Sequence, residues 1–475
     1  MKTICALLIA GVVSLSHAQT VRCITDISHE FSFYFDGRFA SNYLSPIGGS
    51  DVRNWATVSK INLDGANLFI APQGRTPCPW TDADVSKLKL FVREGGGLLM
   101  IGSYQVFPGE KDYKLNTLAA AFGASVTPTV GVEPLTLDPS IRSTRFTNYP
   151  TQVLSLESPS IWTILVRDKT GAPVMASRKV GRGKVVLASG SLFGRNPDAS
   201  DPINNDWIPR LLQWLSSGKD VSHEIPPRST PPENSFNDRG LKVQFNDYMA
   251  PTAKGIAEYF FKCLPEVRAF TGVEASRGML LDLQLLATDG GGFSTGPTIG
   301  LGAYWGDFPN HQYGMVELIG HEMTHSWVKP FDEPMWNEGI ATYVGIQIAK
   351  RLGFKQEADE ALSKFLNYSK ANDGTGKLNL NGGDLDWWVR MGKPMAIFEE
   401  LRKKFGADVM AKYFGAKRRL ILAGRKGYSA DDAIAVMSRA VGMDLFPRFK
   451  DLGTTVDWAH TDIPRGGLKP WNGVP

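Results

Sequence analysis

His321, Glu322 and His325 stand together in the stretch Met315 to Val328, MVELIGHEMTHSWV. Apolar residues recur there at helical spacing, and Pro330 closes the run. Two histidines four apart fall on one face of a helix, about one turn from each other. Both imidazoles then reach one small, borderline-soft cation such as zinc. Glu322, next to the first histidine, projects beside the metal without ligating it. It can take a proton from a metal-activated water. The chain has only seven histidines, so two of them falling around a glutamate at this spacing is improbable by chance. A second element, Met335 to Tyr343 (MWNEGIATY), opens another helix soon afterwards. A catalytic zinc keeps three protein ligands and one open position. Glu338 supplies the third ligand from a helix packed against the first. Alone, a glutamate near a helix start reads as well as a solvated or capping residue; the two histidines upstream change that reading.

Several elements must position these groups. Leu241 to Phe245, Met279 to Leu286 and Thr298 to Trp305 read as strands, Ala250 to Phe270 as a helix, and Asp289 to Gly292 as a turn. From Gly314 onward the pattern is almost entirely helical, which makes an α+β arrangement. A Pro/Ser-rich stretch, Pro226 to Ser235, reads as a stiff connector and the main domain boundary. Before it, short apolar runs (Ala66 to Ala71, Leu98 to Ile101) alternate with helical patterns, one of them opened by a cap-like Thr81. Ser177 to Val180 and Lys184 to Leu187 flank Gly181-Arg182-Gly183 as a hairpin. Asp206 to Ser216 reads as an amphipathic helix. Buried strands alternating with helices imply a mostly parallel α/β sheet.

The N-terminus reads as an export signal: Lys2, an apolar run from Ile4 to Leu15, and Ser16-His17-Ala18 before a cut at Gln19. The run is too short for a spanning helix, which needs about 20 apolar residues. The expected organisation is therefore a signal peptide at 1–18, an α/β domain at 19–222, a connector at 223–239 and the metal domain at 240–475. The destination is secreted or periplasmic, with no membrane span. A formal charge of +4, with no dense basic block, excludes a nucleic-acid partner. Cys5 leaves with the signal. In an oxidising compartment Cys23 and Cys78 are the expected disulfide, and Cys263, in an apolar helical stretch, a buried inert thiol.

Together, HEMTHSW and WNEGIATY resemble the HExxH and NExxA motifs of gluzincin metallopeptidases, closest to the aminopeptidase-like and thermolysin-like branches. The resemblance extends over Leu241 to Asp457 and implies one zinc ion on His321, His325 and Glu338, with Glu322 as catalytic base. It implies hydrolysis of peptide bonds in peptides, proteins or glycoproteins. The aminopeptidase branch binds the substrate amine with acids on a strand; the matching stretch here, Ile299 to Gly306, has no carboxylate, which favours an endopeptidase. That strand is expected to be the edge that pairs with substrate, with Tyr304, Trp305 and Trp388 as subsite or core residues. Where the family has an oxyanion tyrosine the chain has Trp387 to Gly392, leaving Arg390 as the candidate. Thr342 stands where thermolysin-like enzymes orient a ligand histidine with an aspartate. The N-terminal half is similar to the class I glutamine-amidotransferase-like (flavodoxin-like) fold, through ANLFIAPQG, TDADVSKLKLFVREGGGLLMIGS and GRGKVVLASGS. Catalytic members carry a cysteine where Ser103 and Tyr104 stand, so this half is expected to be non-catalytic. Two alternatives remain: a secreted binding protein with a structural metal site, and an activity housed in the N-terminal half.

Overall fold

The computed structural model describes residues 20–31, 39–102, 108–132, 134–138, 152–189, 207–221, 229–371 and 386–471. The signal segment, Ser103, Tyr104 and Pro226 to Arg228 lie outside them. The chain divides into two units. The first comprises Met1–Ser235 with Gln244–Pro251 and Leu286–Gly290; the second comprises Phe236–Val243, Thr252–Leu285 and Gly291–Pro475.

In the first unit the strands are β1 (Arg22–Asp26), β2 (Ser50–Asn54), β3 (Leu68–Gln73), β4 (Gly97–Gly102), β5 (Ala124–Val130), β6 (Thr136–Leu137), β7 (Gln152–Leu156), β8 (Thr163–Arg167), β9 (Pro173–Val180), β10 (Gly183–Ser189) and β11 (Ser229–Thr230). The helices are α1 (Asp82–Arg93), α2 (Leu115–Ala120) and α3 (Ile208–Ser216). Nine strands form one sheet in the order β11-β2-β1-β3-β4-β10-β9-β8-β6. Pairing is parallel from β11 to β10 and antiparallel from β10 to β6. The sheet is mixed because the hairpin at Gly181 turns the chain back on itself.

Side-chain alternation explains its burial on both faces. Ile24, Phe69, Leu98, Met100, Val185 and Leu187 face one core with Leu88 and Phe91 of α1. Cys23, Leu68, Leu99, Ile101 and Val186 face the other, with Ile208, Leu212 and Leu215 of α3. Thr81 caps α1 reciprocally with Asp84, as its type predicts.

The expected disulfide is absent: Cys23, Cys78 and Cys263 are all buried, and none is in a disulfide. Cys23 points to the α3 side of the sheet. Trp80, two residues beyond Cys78, packs in the opposite core. Burial raises the pKa of the Cys263 thiol, which fits the inert role expected of it.

The connector also differs from its expected form. Ser229–Thr230 is an edge strand of the nine-stranded sheet, and β12 (Asn234–Asp238) is an edge strand of a second sheet. Edge positions accommodate the prolines between them.

That second sheet runs β12-β13-β14-β16-β15, with β13 (Leu241–Phe245), β14 (Asp282–Leu286), β15 (Gly292–Ser294) and β16 (Thr298–Gly302). The strand expected at the edge, Ile299 to Trp305, is therefore interior, and β15 is the edge. Three residues beside Gly290-Gly291 leave no alternation to read, and the expected turn, Asp289 to Gly292, takes in only the first residue of β15. The helices of the second unit are α4 (Ala250–Thr271), α5 (Tyr313–Val328), α6 (Asn337–Arg351), α7 (Lys355–Ala371), α8 (Trp387–Phe405), α9 (Val409–Leu422), α10 (Ala430–Val441) and α11 (Phe446–Asp451). Among the described residues no helix is long and apolar enough to cross a membrane.

Candidate metal centre

Helix α5 is buried nearly all round, from Met315 to Val328, so its apolar residues form no single stripe. Its neighbour α6 crosses it backbone to backbone. A Cβ added at Gly320 would stand 2.8 Å from the Gly345 Cα, and one added at Gly345 would stand 2.4 Å from the Glu317 carbonyl oxygen. Side-chain-free positions on both helices therefore let them touch. His321 follows Gly320, and Glu338 and Thr342 precede Gly345 on α6.

This crossing brings three donors together. The Nε2 atoms of His321 and His325 are 3.1 Å apart. Glu338 Oε2 lies 3.4 Å from His321 Nε2, and Oε1 3.6 Å from His325 Nε2. Among the described residues this is the one group of His, Cys, Asp and Glu gathered tightly enough to hold a metal. Four donors about 2.0–2.1 Å from a tetrahedral zinc lie about 3.3 Å apart; the two imidazole nitrogens meet that spacing, and each Glu338 oxygen faces one of them, so that one donor atom from each residue lies within 4.8 Å of the others. Two imidazoles and a carboxylate make up a donor set of a kind that suits zinc.

The protonation of His321 fits as well. His321 Nδ1 lies 2.9 Å from the Thr342 hydroxyl. Nδ1–H donating there leaves the Nε2 lone pair for the cation. Burial and the neighbouring His325 lower the His321 pKa against the pull of Glu338. Burial acts the same way on His325, but Glu338 outweighs it and raises that pKa. Hydrogen bonds from both histidines hold the Glu338 carboxyl well below the usual carboxylate range. Thr342 thus does the orienting expected of an aspartate. Thr342→Val, which keeps the shape and removes the hydroxyl, is expected to weaken zinc binding about 10–100-fold without unfolding the chain. Competition with a chromophoric chelator measures this; wild-type affinity in the variant would mean that His321 needs no such partner.

Glu322 is only 4% exposed. Burial pushes its pKa up to about 8, His325 lowers it, and Glu338 and Glu317 raise it. Its carboxyl packs on the edge strand: a Cβ at Gly292 would come within 3.0 Å of Glu322 Oε1. Ser326 fixes the same face of α5, its hydroxyl donating to the Gly296 carbonyl and lying 2.9 Å from the Ser294 hydroxyl.

The remaining candidates fall elsewhere. Tyr304 is buried and Trp305 half-buried. Trp388 stacks on Tyr368 at 4.7 Å and contacts Phe365, in the packing of α7 against α8. Arg390 is exposed in the first turn of α8. Sequence reasoning missed Gly320, Gly345 and Gly292. Lone glycines inside an apolar helical pattern were the available signal for the first two.

No protein-family model matches this sequence, and no curated protein does. Among solved structures it is similar to one described as "mmIFT52 N-terminal domain", at 18% identity, with 42% of this chain and 99% of that chain covered and a TM-score of 0.27. A score that low carries no fold assignment.

Proposed function

We propose that this chain is a zinc-dependent peptidase of the gluzincin type, with the metal held by His321, His325 and Glu338 and with Glu322 as base. The observation that carries this reading is the gathering of two imidazole nitrogens 3.1 Å apart and the Glu338 carboxylate, one donor atom from each within 4.8 Å of the others, beside a buried fourth group of the right type. When bound, zinc supplies Lewis acidity, lowering the pKa of a water toward about 7 and polarising a carbonyl. Glu322 takes the proton and returns it to the leaving amine. Its burial against β15 shields that transfer from bulk water and fixes the carboxyl in position. Thr342 keeps His321 in the ligating tautomer.

Neither β15 nor β16 carries a carboxylate. A substrate α-ammonium would find no partner on either strand, which supports internal cleavage over aminopeptidase action. Peptides, proteins and glycoproteins are the proposed substrates. The first unit is read as a flavodoxin-like, amidotransferase-like and non-catalytic domain, and the chain as exported to the periplasm or exterior.

Incubated with an unfolded protein, the full-length chain is expected to produce fragments with internal termini. Cleavage should stop on adding a chelator and return with stoichiometric zinc. Zinc uptake with no cleavage of any unfolded protein would instead leave a metal-holding binding protein.

A further inference from the structure

The connection between α5 and α6 carries a buried carboxylate, Glu333, that takes no part in the proposed chemistry. Lys417 of α9 donates to Glu333 Oε1 at 2.7 Å and to the Phe331 carbonyl at 2.7 Å. The two side chains are almost out of water, 2% exposed for Lys417 and 0% for Glu333. Glu333 Oε2 accepts from Trp336 Nε1 at 3.0 Å and from the Tyr413 hydroxyl at 2.5 Å. The Lys417 ammonium also lies over the Tyr428 ring, 4.4 Å from its centre. The next residue, Arg418, donates to the Trp327 carbonyl at 2.9 Å, at the end of α5. Consecutive residues of α9 thus grip the end of one ligand helix and the loop that leads to the other.

Two ions placed here have lost their hydration, and an apolar pair of similar size would fill the space at no greater cost. What the ions add is fixed geometry. That geometry reaches the metal donors. The Glu333 backbone N–H donates to Asn337 Oδ1 at 3.3 Å, and Asn337 Nδ2 donates to Glu338 Oε1 at 3.2 Å. From α9 to Glu338, each link is a hydrogen bond or a covalent step.

We propose that the Lys417–Glu333 ion pair is a positioning element for the third metal ligand: it locks the α5–α6 connection, and Asn337 passes that fixed position to the Glu338 carboxylate. The inference rests on the zinc reading above and concerns residues that touch neither metal nor substrate.

The test uses the full-length, zinc-free protein, with zinc affinity read by chelator competition and folding by thermal unfolding. The paired change Glu333→Gln/Lys417→Met keeps volume and leaves an amide oxygen for Trp336 and Tyr413. Zinc affinity is expected to fall about 10–100-fold, the range for outer partners of a ligand. Asn337→Ala cuts the relay and leaves the ion pair intact, and a loss of similar size is expected. Combining the three changes should give no further loss, because residues acting through one link do not add. A pair that is only structural would lower the unfolding temperature and leave zinc affinity unmoved, or its loss would add to that of Asn337→Ala. Either result overturns the proposal, as does wild-type affinity in Asn337→Ala alone. A wild-type protein that takes up no zinc is a separate failure: it sinks the assignment of the ligands, and this inference with it.

Discussion

Replacing Glu322 with glutamine is expected to leave zinc content at the wild-type level and to lower the rate of peptide hydrolysis by about 100- to 10,000-fold. The size of the effect follows from what the side chain does. The amide keeps the volume that fits against Gly292, so packing is preserved. It cannot accept a proton, so the transfer from water to leaving amine is lost. Zinc is retained because the donors come from His321, His325 and Glu338. Metal analysis alongside the rate of cleavage of an unfolded protein separates the two properties. Hydrolysis within a few-fold of wild type, with zinc still bound, would remove Glu322 from the chemistry. Glu338→Gln makes the contrast: it removes a charged donor, so zinc should be lost together with activity.

Gly345→Ala is expected to be a strongly damaging single-methyl change in the second unit. The added carbon would stand 2.4 Å from the Glu317 carbonyl oxygen and 3.1 Å from the His321 backbone nitrogen. Neither is a flexible side-chain tip, so the helices themselves must part. Overpacking of this kind costs about 1–3 kcal/mol or more, against a gain of about 0.5–1 kcal/mol from placing alanine in a helix. The net loss should lower the unfolding temperature by several degrees, at about 2–4 °C per kcal/mol for a unit of this size. Parting the helices also separates His321 from Thr342 and Glu338, so zinc affinity should fall in the same variant. Gly415→Ala is the matched control. Gly415 lies inside α9, and a Cβ there meets nothing closer than Arg419 Nη1 at 3.6 Å. That change should be neutral or stabilise by about 0.4–1 kcal/mol. Calorimetry of both variants decides the point; equal stability and equal zinc affinity for Gly345→Ala would show that the crossing tolerates a side chain.

The gathering of His321, His325 and Glu338 was legible because it is local. His321 and His325 share a helical face by spacing alone, and Glu338 opens the next helix. The two cores of the first sheet were legible for a related reason, since Leu98 to Ile101 must send successive side chains to opposite faces. Long-range facts were not. Thr342 reads as a lost aspartate until the crossing sets its hydroxyl on His321 Nδ1. Lys417 and Glu333 are 84 positions apart, and no periodicity links them. The substrate-edge assignment failed because β15 is three residues long. The Cys23–Cys78 pairing failed because compartment chemistry says which cysteines can oxidise, while the fold decides where each stands: Cys23 is in β1 and Cys78 in the loop between β3 and α1.

On the zinc reading, the bare contact of Gly320 with Gly345 bears on which ions the proposed site would accept. Helices in direct backbone contact resist sliding apart or closing further, so the donors of the proposed site would keep nearly one spacing with or without a cation. Such a site loses little freedom on binding, and more of its interaction appears as affinity. The same stiffness makes it selective. Calcium seeks six to eight oxygens at about 2.3–2.6 Å, and magnesium a full octahedron of them. A rigid fork of two imidazoles and one carboxylate offers neither. Copper binds nitrogen donors more tightly than zinc does, so the ion this centre is least able to refuse is a transition metal of similar size.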